Sequence, residues 1–176
     1  MEASKTLKCE ALLLYGSVPD DIKRDLVEAV GSVPQSIFFR EGKPLKEEVK
    51  KLDDEIARGL EGKGWSLEQE MPLGVGKLKV DMASEQKGVL IEIQKGKLPR
   101  IELDILKILY AHLKSPDKWQ YGVLIVPKSY IRLPLEGRKT PFQYVKGSFS
   151  KLIEPLFGAT GLRGFMLIGY EDPRSR

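Results

Sequence analysis

Two carboxylates and an amide, Asp81, Glu92 and Gln94, are the residues whose types and spacing point most directly to chemistry. Asp81 lies in KLKVDM (residues 77–82), and Glu92 and Gln94 lie in VLIEIQK (residues 89–95). Both segments are patterned as strands, and SEQKG (residues 84–88) reads as the turn that joins them. Side chains alternate between the two faces of a strand. Leu78, Val80 and Met82 therefore fall on one face, and Lys77, Lys79 and Asp81 on the other. On the second strand Val89, Ile91 and Ile93 share a face, opposite Leu90, Glu92 and Gln94. A turn centred near residue 86 sets Asp81 within about one residue of directly opposite Glu92, and cross-strand neighbours lie ~5 Å apart.

Carboxylates held that close repel unless something offsets their charge. A divalent cation does so directly, takes one oxygen from each, and fills its shell with water or phosphate oxygens. It also lowers the pKa of bound water and stabilises charge on a phosphoryl group under attack. The plain alternative is a solvated polar face with Glu92 paired to Lys79. Against it, Glu92 sits inside an apolar strand although carboxylates are poor strand formers. Residues 77–100 also carry six basic against three acidic side chains, a surplus that suits a phosphate backbone.

Composition narrows the field further. The chain has 176 residues, enough for one domain with a proper core, and residues 1–176 are expected to form a single domain. One cysteine, Cys9, excludes an internal disulfide framework and a cysteine-cluster zinc site. One histidine, His112, leaves no His-rich metal site and argues against a Ser-His-Asp triad. The remaining donors are oxygens, which suit Mg2+ or a similar hard cation. Net charge is +4 with a pI near 9.0, which permits a polyanionic partner. No apolar run is long enough to span a membrane and the first ten residues do not read as a signal peptide, so the expected location is cytoplasmic.

The elements that must position the carboxylates follow from patterning. Residues 7–15 read as a strand, and an amphipathic helix runs from Pro19 and Asp20 to about Val30. Pro44 opens a helix to about Leu60, and residues 66–71 form a strand before the hairpin. A helix from Pro99 to Lys114, a buried strand at 119–127, a helix at 142–157 and a strand at 164–170 complete the chain. This mixture predicts an α/β domain with a central mixed sheet flanked by helices. On the helix after the hairpin, Arg100, Asp104, Lys107, Ala111 and Lys114 are expected to form the wet stripe. Ile105, Leu109 and Leu113 should pack inward, with Glu102 beside them acting as a local cap. His112 is expected to be a packed structural histidine.

The arrangement V-D-(x)10-E-I-Q-K resembles the PD-(D/E)xK nuclease signature, an aspartate on one strand and (D/E)-x-K on the next. With glutamine third and a following helix carrying D-I-L-K, it is similar to type II restriction endonucleases of the BglII and BstYI kind. The resemblance runs from the N-terminal strand and helix, through LDDEIARGLEGKGW, to GVLIVP. It implies a restriction-endonuclease-like core and a Mg2+- (or Mn2+-) dependent endonuclease acting on double-stranded DNA. One site per chain implies a homodimer for cutting both strands. By the resemblance, Asp81 and Glu92 are the metal carboxylates and the backbone carbonyl of Ile93 completes the protein's share. Gln94 replaces the family's lysine and would place the attacking water; its amide is no general base. Lys77 and Lys79 would seat the DNA backbone. Glu55 or Asp54, from the helix before the hairpin, is the accessory group, with a solvated helix face as the plain alternative. Lys95 is set aside, because alternation turns it to the Ile91 and Ile93 face. The chain is compact for an enzyme that reads six base pairs. The same fold also serves repair or recombination nucleases that read DNA shape, and nucleic-acid-binding modules without catalysis.

Overall fold

The structure, a computed structural model, describes residues 5–45, 49, 51–72, 77–95, 100–128 and 139–175. In chain order these form β1 (Cys9–Gly16), α1 (Asp20–Ser32), β2 (Phe39–Arg40), β3 (Lys43–Pro44), α2 (Leu52–Gly59), β4 (Ser66–Pro72) and β5 (Lys77–Ser84). Then come β6 (Val89–Ile93), α3 (Ile101–Lys114), β7 (Tyr121–Pro127), α4 (Pro141–Tyr144), α5 (Ser150–Thr160) and β8 (Gly164–Tyr170). A π-helical stretch, Val145–Phe149, joins α4 to α5.

Six strands make one mixed sheet in the order β1-β8-β7-β6-β5-β4. β6, β7 and β8 are parallel, and the outer pairings are antiparallel. Parallel neighbours need crossovers, and α3 and then α4–α5 supply them. Both faces of the central strands are covered, which is why β6, β7 and β8 read as continuous apolar runs rather than alternating ones. One core, including Leu26, Ile56, Met82, Ile91, Ile93 and Ile125, lies beneath α1 and α2. The other, including Val80, Leu90, Ile105, Ile108, Leu124 and Phe165, lies beneath α3 and α5. Gly122 lets α3 approach the sheet, since a Cβ there would lie 2.6 Å from the Phe165 ring and 2.7 Å from Ile108.

Three expectations are corrected. Pro44 does not open a helix: Glu41 and Gly42, both at positive φ, turn β2 back onto β3, and α2 starts at Leu52. Val80 and Met82 do not share a face, for Val80 packs under α3 and Met82 under α1 and α2. The α3 wheel is also rotated from expectation. Asp104 and Ala111 are buried and Lys107 largely so, whereas Leu113 is 60% exposed, beside exposed Leu103 and Leu106. Strand β6 is covered by this helix, so the charged side chains that belong to Glu92 turn inward with it.

Candidate active site

The hairpin pairs Ser84 with Val89, Ala83 with Leu90 and Met82 with Ile91, which carries Asp81 opposite Glu92. Backbone pairing stops there. The Asp81 carboxylate takes over, and its Oδ2 accepts the Ile93 backbone N–H at 2.7 Å. On its other edge β6 continues along β7, with Gln94 donating its backbone N–H to Ile125 at 2.8 Å. The two strands thus part at the site, and the gap between them is lined by side chains. A cavity of about 100 Å³ opens there, lined by Asp81, Glu92, Ile93, Gln94 and Lys95 of the strands and Arg100, Asp104 and Lys107 of the α3 end.

Charge in this cavity is dense and buried. Glu92 is 2% exposed, and both its carboxylate oxygens accept from the Lys107 ammonium at 3.0 Å. Lys107 also lies 3.3 Å from Asp104 Oδ1, and the Gln94 amide donates to Asp104 Oδ2. Burial, reinforced by the charges of Asp81 and Asp104, pushes the Glu92 carboxyl well above the carboxylate range, with Lys107 pulling the other way. Asp104 is raised chiefly by burial, opposed by Lys107. Burial alone would lower Lys107, but Glu92 and Asp104 outweigh it and hold the ammonium charged.

The expected site residues separate into three groups. Asp81, Glu92, Ile93 and Gln94 line one cavity. Gln94, expected to place the attacking water, donates its amide N–H to the Asp104 carboxylate of α3. Lys79 lies across the outer strand pair from Glu70, at 3.5 Å, and does not line the cavity. Lys77 opens β5, but its side chain is outside the described residues. Glu55 is tied to Arg58 of its own helix at 2.7 Å, and Asp54 is exposed.

The acid that α2 sends toward the site is Asp53. Its Oδ2 accepts from Lys95 Nζ at 2.5 Å, and its buried Oδ1 has no partner among the described residues. Burial pushes Asp53 up to about 6, Lys95 opposes the shift, and the charge of Asp81 adds to it. Lys95 therefore turns to the α2 side, as alternation expects. The cue for Asp53 was its place next to Leu52, on the side of the helix that Leu52 and Ile56 bury. Nothing in the sequence said which helix would cover that side of the hairpin. Lys107 differs for a similar reason: the stripe of α3 expected to face solvent faces the buried Glu92.

The chain aligns in space with the crystal structure of the restriction endonuclease BglII complexed with a DNA 16-mer. The TM-score is 0.60 at 14% sequence identity, over 92% of this chain and 77% of the other. The fold is restriction-endonuclease-like. No protein-family model matches the sequence, and no curated protein matches it.

In this restriction-endonuclease-like frame the donor set can be tested against a metal. No group of three or more His, Cys, Asp or Glu side chains that could hold an ion converges among the described residues. Asp81 and Glu92 with one backbone carbonyl are nevertheless a hard, oxygen-only set, and Mg2+ usually keeps several waters beside one or two carboxylates. The cavity volume leaves room for an ion and a few waters. The residues fit a small hard cation.

Proposed function

We propose that this chain is a Mg2+-dependent DNA endonuclease, with Mn2+ as a substitute, of the type II restriction endonuclease kind. The observation that carries this reading is the convergence of Asp81 and buried Glu92 where β5 and β6 part, in a cavity bordered by basic side chains. The restriction-endonuclease-like fold, and a structural neighbour solved with DNA, support the same reading. A divalent cation held by Asp81, Glu92 and the Ile93 carbonyl would lower the pKa of bound water and offset charge at phosphorus. The chain's own residues do the rest. Asp81 braces the backbone of Ile93, Gln94 fixes Asp104, and Lys95 and Arg100 border the path of the DNA backbone. Water adds to phosphorus as the bond to the 3′ oxygen breaks, leaving a 5′ phosphate and a 3′ hydroxyl.

Cutting both strands calls for two chains. We place a second copy on the exposed leucines of α3 and α5. Antiparallel packing of α3 on its counterpart would oppose the helix dipoles.

The test is incubation of supercoiled plasmid with the protein and Mg2+, followed by mapping of the ends. Nicked or linear DNA is expected, and Asp81→Ala should yield neither. DNA binding without cleavage by the unaltered chain would reject the nuclease reading in favour of a binding module.

A further inference from the structure

The third position of the strand signature holds Gln94, so β6 supplies no cation at the reacting phosphate. A buried cation is present nonetheless, from another element. Lys107 of α3 reaches down on Glu92, with its side chain only 16% exposed and its ammonium at the wall of the cavity. Among the described residues, Lys95 and Arg100 also line this cavity, but neither reaches Glu92. Lys95 is drawn to Asp53, Arg100 stands exposed at the mouth, and Lys79 lies by Glu70.

Resting on the nuclease reading above, we propose that Lys107 is the lysine of this active site, delivered from α3 to a non-bridging oxygen of the scissile phosphate. Three features of the geometry favour this role. An ammonium has three donors, and two of Lys107's contacts go to the carboxylate that a metal would claim. Once a cation takes one oxygen of Glu92, one of those donors needs a new acceptor, and the substrate's phosphate brings it. The contact to Asp104 then keeps the ammonium aimed at the cavity, and the Gln94 amide in turn holds Asp104. Gln94 is thus a positioning residue for Lys107. The lysine keeps its protons throughout. Water's oxygen bonds to phosphorus, the P–O3′ bond breaks, water's proton passes to solvent, and the leaving oxygen takes one from solvent. The ammonium offsets the charge that gathers on the phosphate oxygens between those events.

The test uses the whole chain with Lys107→Ala and Lys107→Arg. Two quantities are read: the single-turnover cleavage rate on supercoiled plasmid in Mg2+, and the affinity for Mg2+ alone from its effect on the thermal midpoint. Lys107→Ala should cut slower by roughly 10² or more. It should bind Mg2+ at least as tightly as the parent, because a cation competing for Glu92 is gone. Lys107→Arg should restore part of the rate. Cleavage by Lys107→Ala at the parent rate overturns the inference while leaving the nuclease reading intact. So does a loss of Mg2+ affinity that accounts for the loss of rate, which would make Lys107 a prop for Glu92 alone. If the alanine variant does not fold, Lys107→Met, which keeps most of the stem, is read by the same criteria. A parent chain that cuts no DNA overturns the nuclease reading, and this inference with it.

Discussion

At the scale of single residues, Asp81 has two separable duties. It closes the backbone ladder by accepting from Ile93, and it offers an oxygen to the cavity. Asp81→Ala should lose cleavage and also about 1–3 kcal/mol of stability, because a buried N–H is orphaned. Asp81→Asn keeps a hydrogen-bond acceptor, so it should recover most of the thermal midpoint without recovering cleavage. Equal midpoints for the two variants would refute the bracing role. Asp53 gives a second prediction through its proton. Its folded pKa lies near 6 because of burial, against an ordinary value of 3.8. The folded protein therefore binds this proton more tightly than the unfolded chain does. Stability from this group is fully present below pH ~4 and is lost as pH rises through about 6, on the order of 2–3 kcal/mol. Denaturant melts of the parent and of Asp53→Asn between pH 4 and 7 check it, and the difference between them should shrink at the acid end.

At the scale of elements, α3 carries the site as much as the hairpin does. It presses on β7 at Gly122 and lowers Asp104 and Lys107 over Glu92. Gly122→Ala should force Ile108 and Phe165 apart, cost about 1–3 kcal/mol and slow cleavage by displacing Lys107. A variant that loses stability with an unchanged rate would show that the site tolerates movement of α3. The same helix marks where the sequence stopped being legible. The hairpin register was readable because a short turn leaves few choices, and the last pair, Met82 with Ile91, leaves Asp81 and Glu92 next along their strands. Period-two alternation failed on β5, where Val80 and Met82 part to opposite cores. The mixed α/β architecture was readable from the order of elements. The facing of α3 was not. Its apolar residues surround most of the helix, so its wheel has no single wet side, and the sequence does not say that Glu92 lies buried beneath it. Asp53 is one of three adjacent acids, and only the surface that α2 covers, which the sequence does not show, singles it out. His112 was simpler: its two ring nitrogens lie 2.6 Å from the Trp119 carbonyl oxygen and 2.9 Å from that of Thr160, so it links the α3 end to its neighbours.

At the scale of the whole molecule, the outward face of α3 is the feature a lone chain explains least. Leu103, Leu106 and Leu113 are each more than half exposed, and Leu152 and Leu156 of α5 extend the patch. An apolar groove of about 400 Å³ runs between the two helices, with Lys107 at its border. Monomers rarely expose a contiguous patch of this kind without a use for it. A second copy is the occupant that proposed duplex cleavage requires, and it would pack against the helix that positions Lys107. The parent chain should therefore sediment as a dimer and convert supercoiled plasmid to linear DNA with little nicked intermediate. Leu106→Asp combined with Leu113→Asp places charge on the shared face, far from Asp81 in sequence and with neither side chain in the core. That variant should keep its thermal transition, sediment as a monomer and leave nicked circles as the main product. Linear DNA produced by a parent that sediments as a monomer would sink the assignment of this face. A double variant that stays dimeric and still makes linear product would do so equally, because the second copy would then be seated elsewhere.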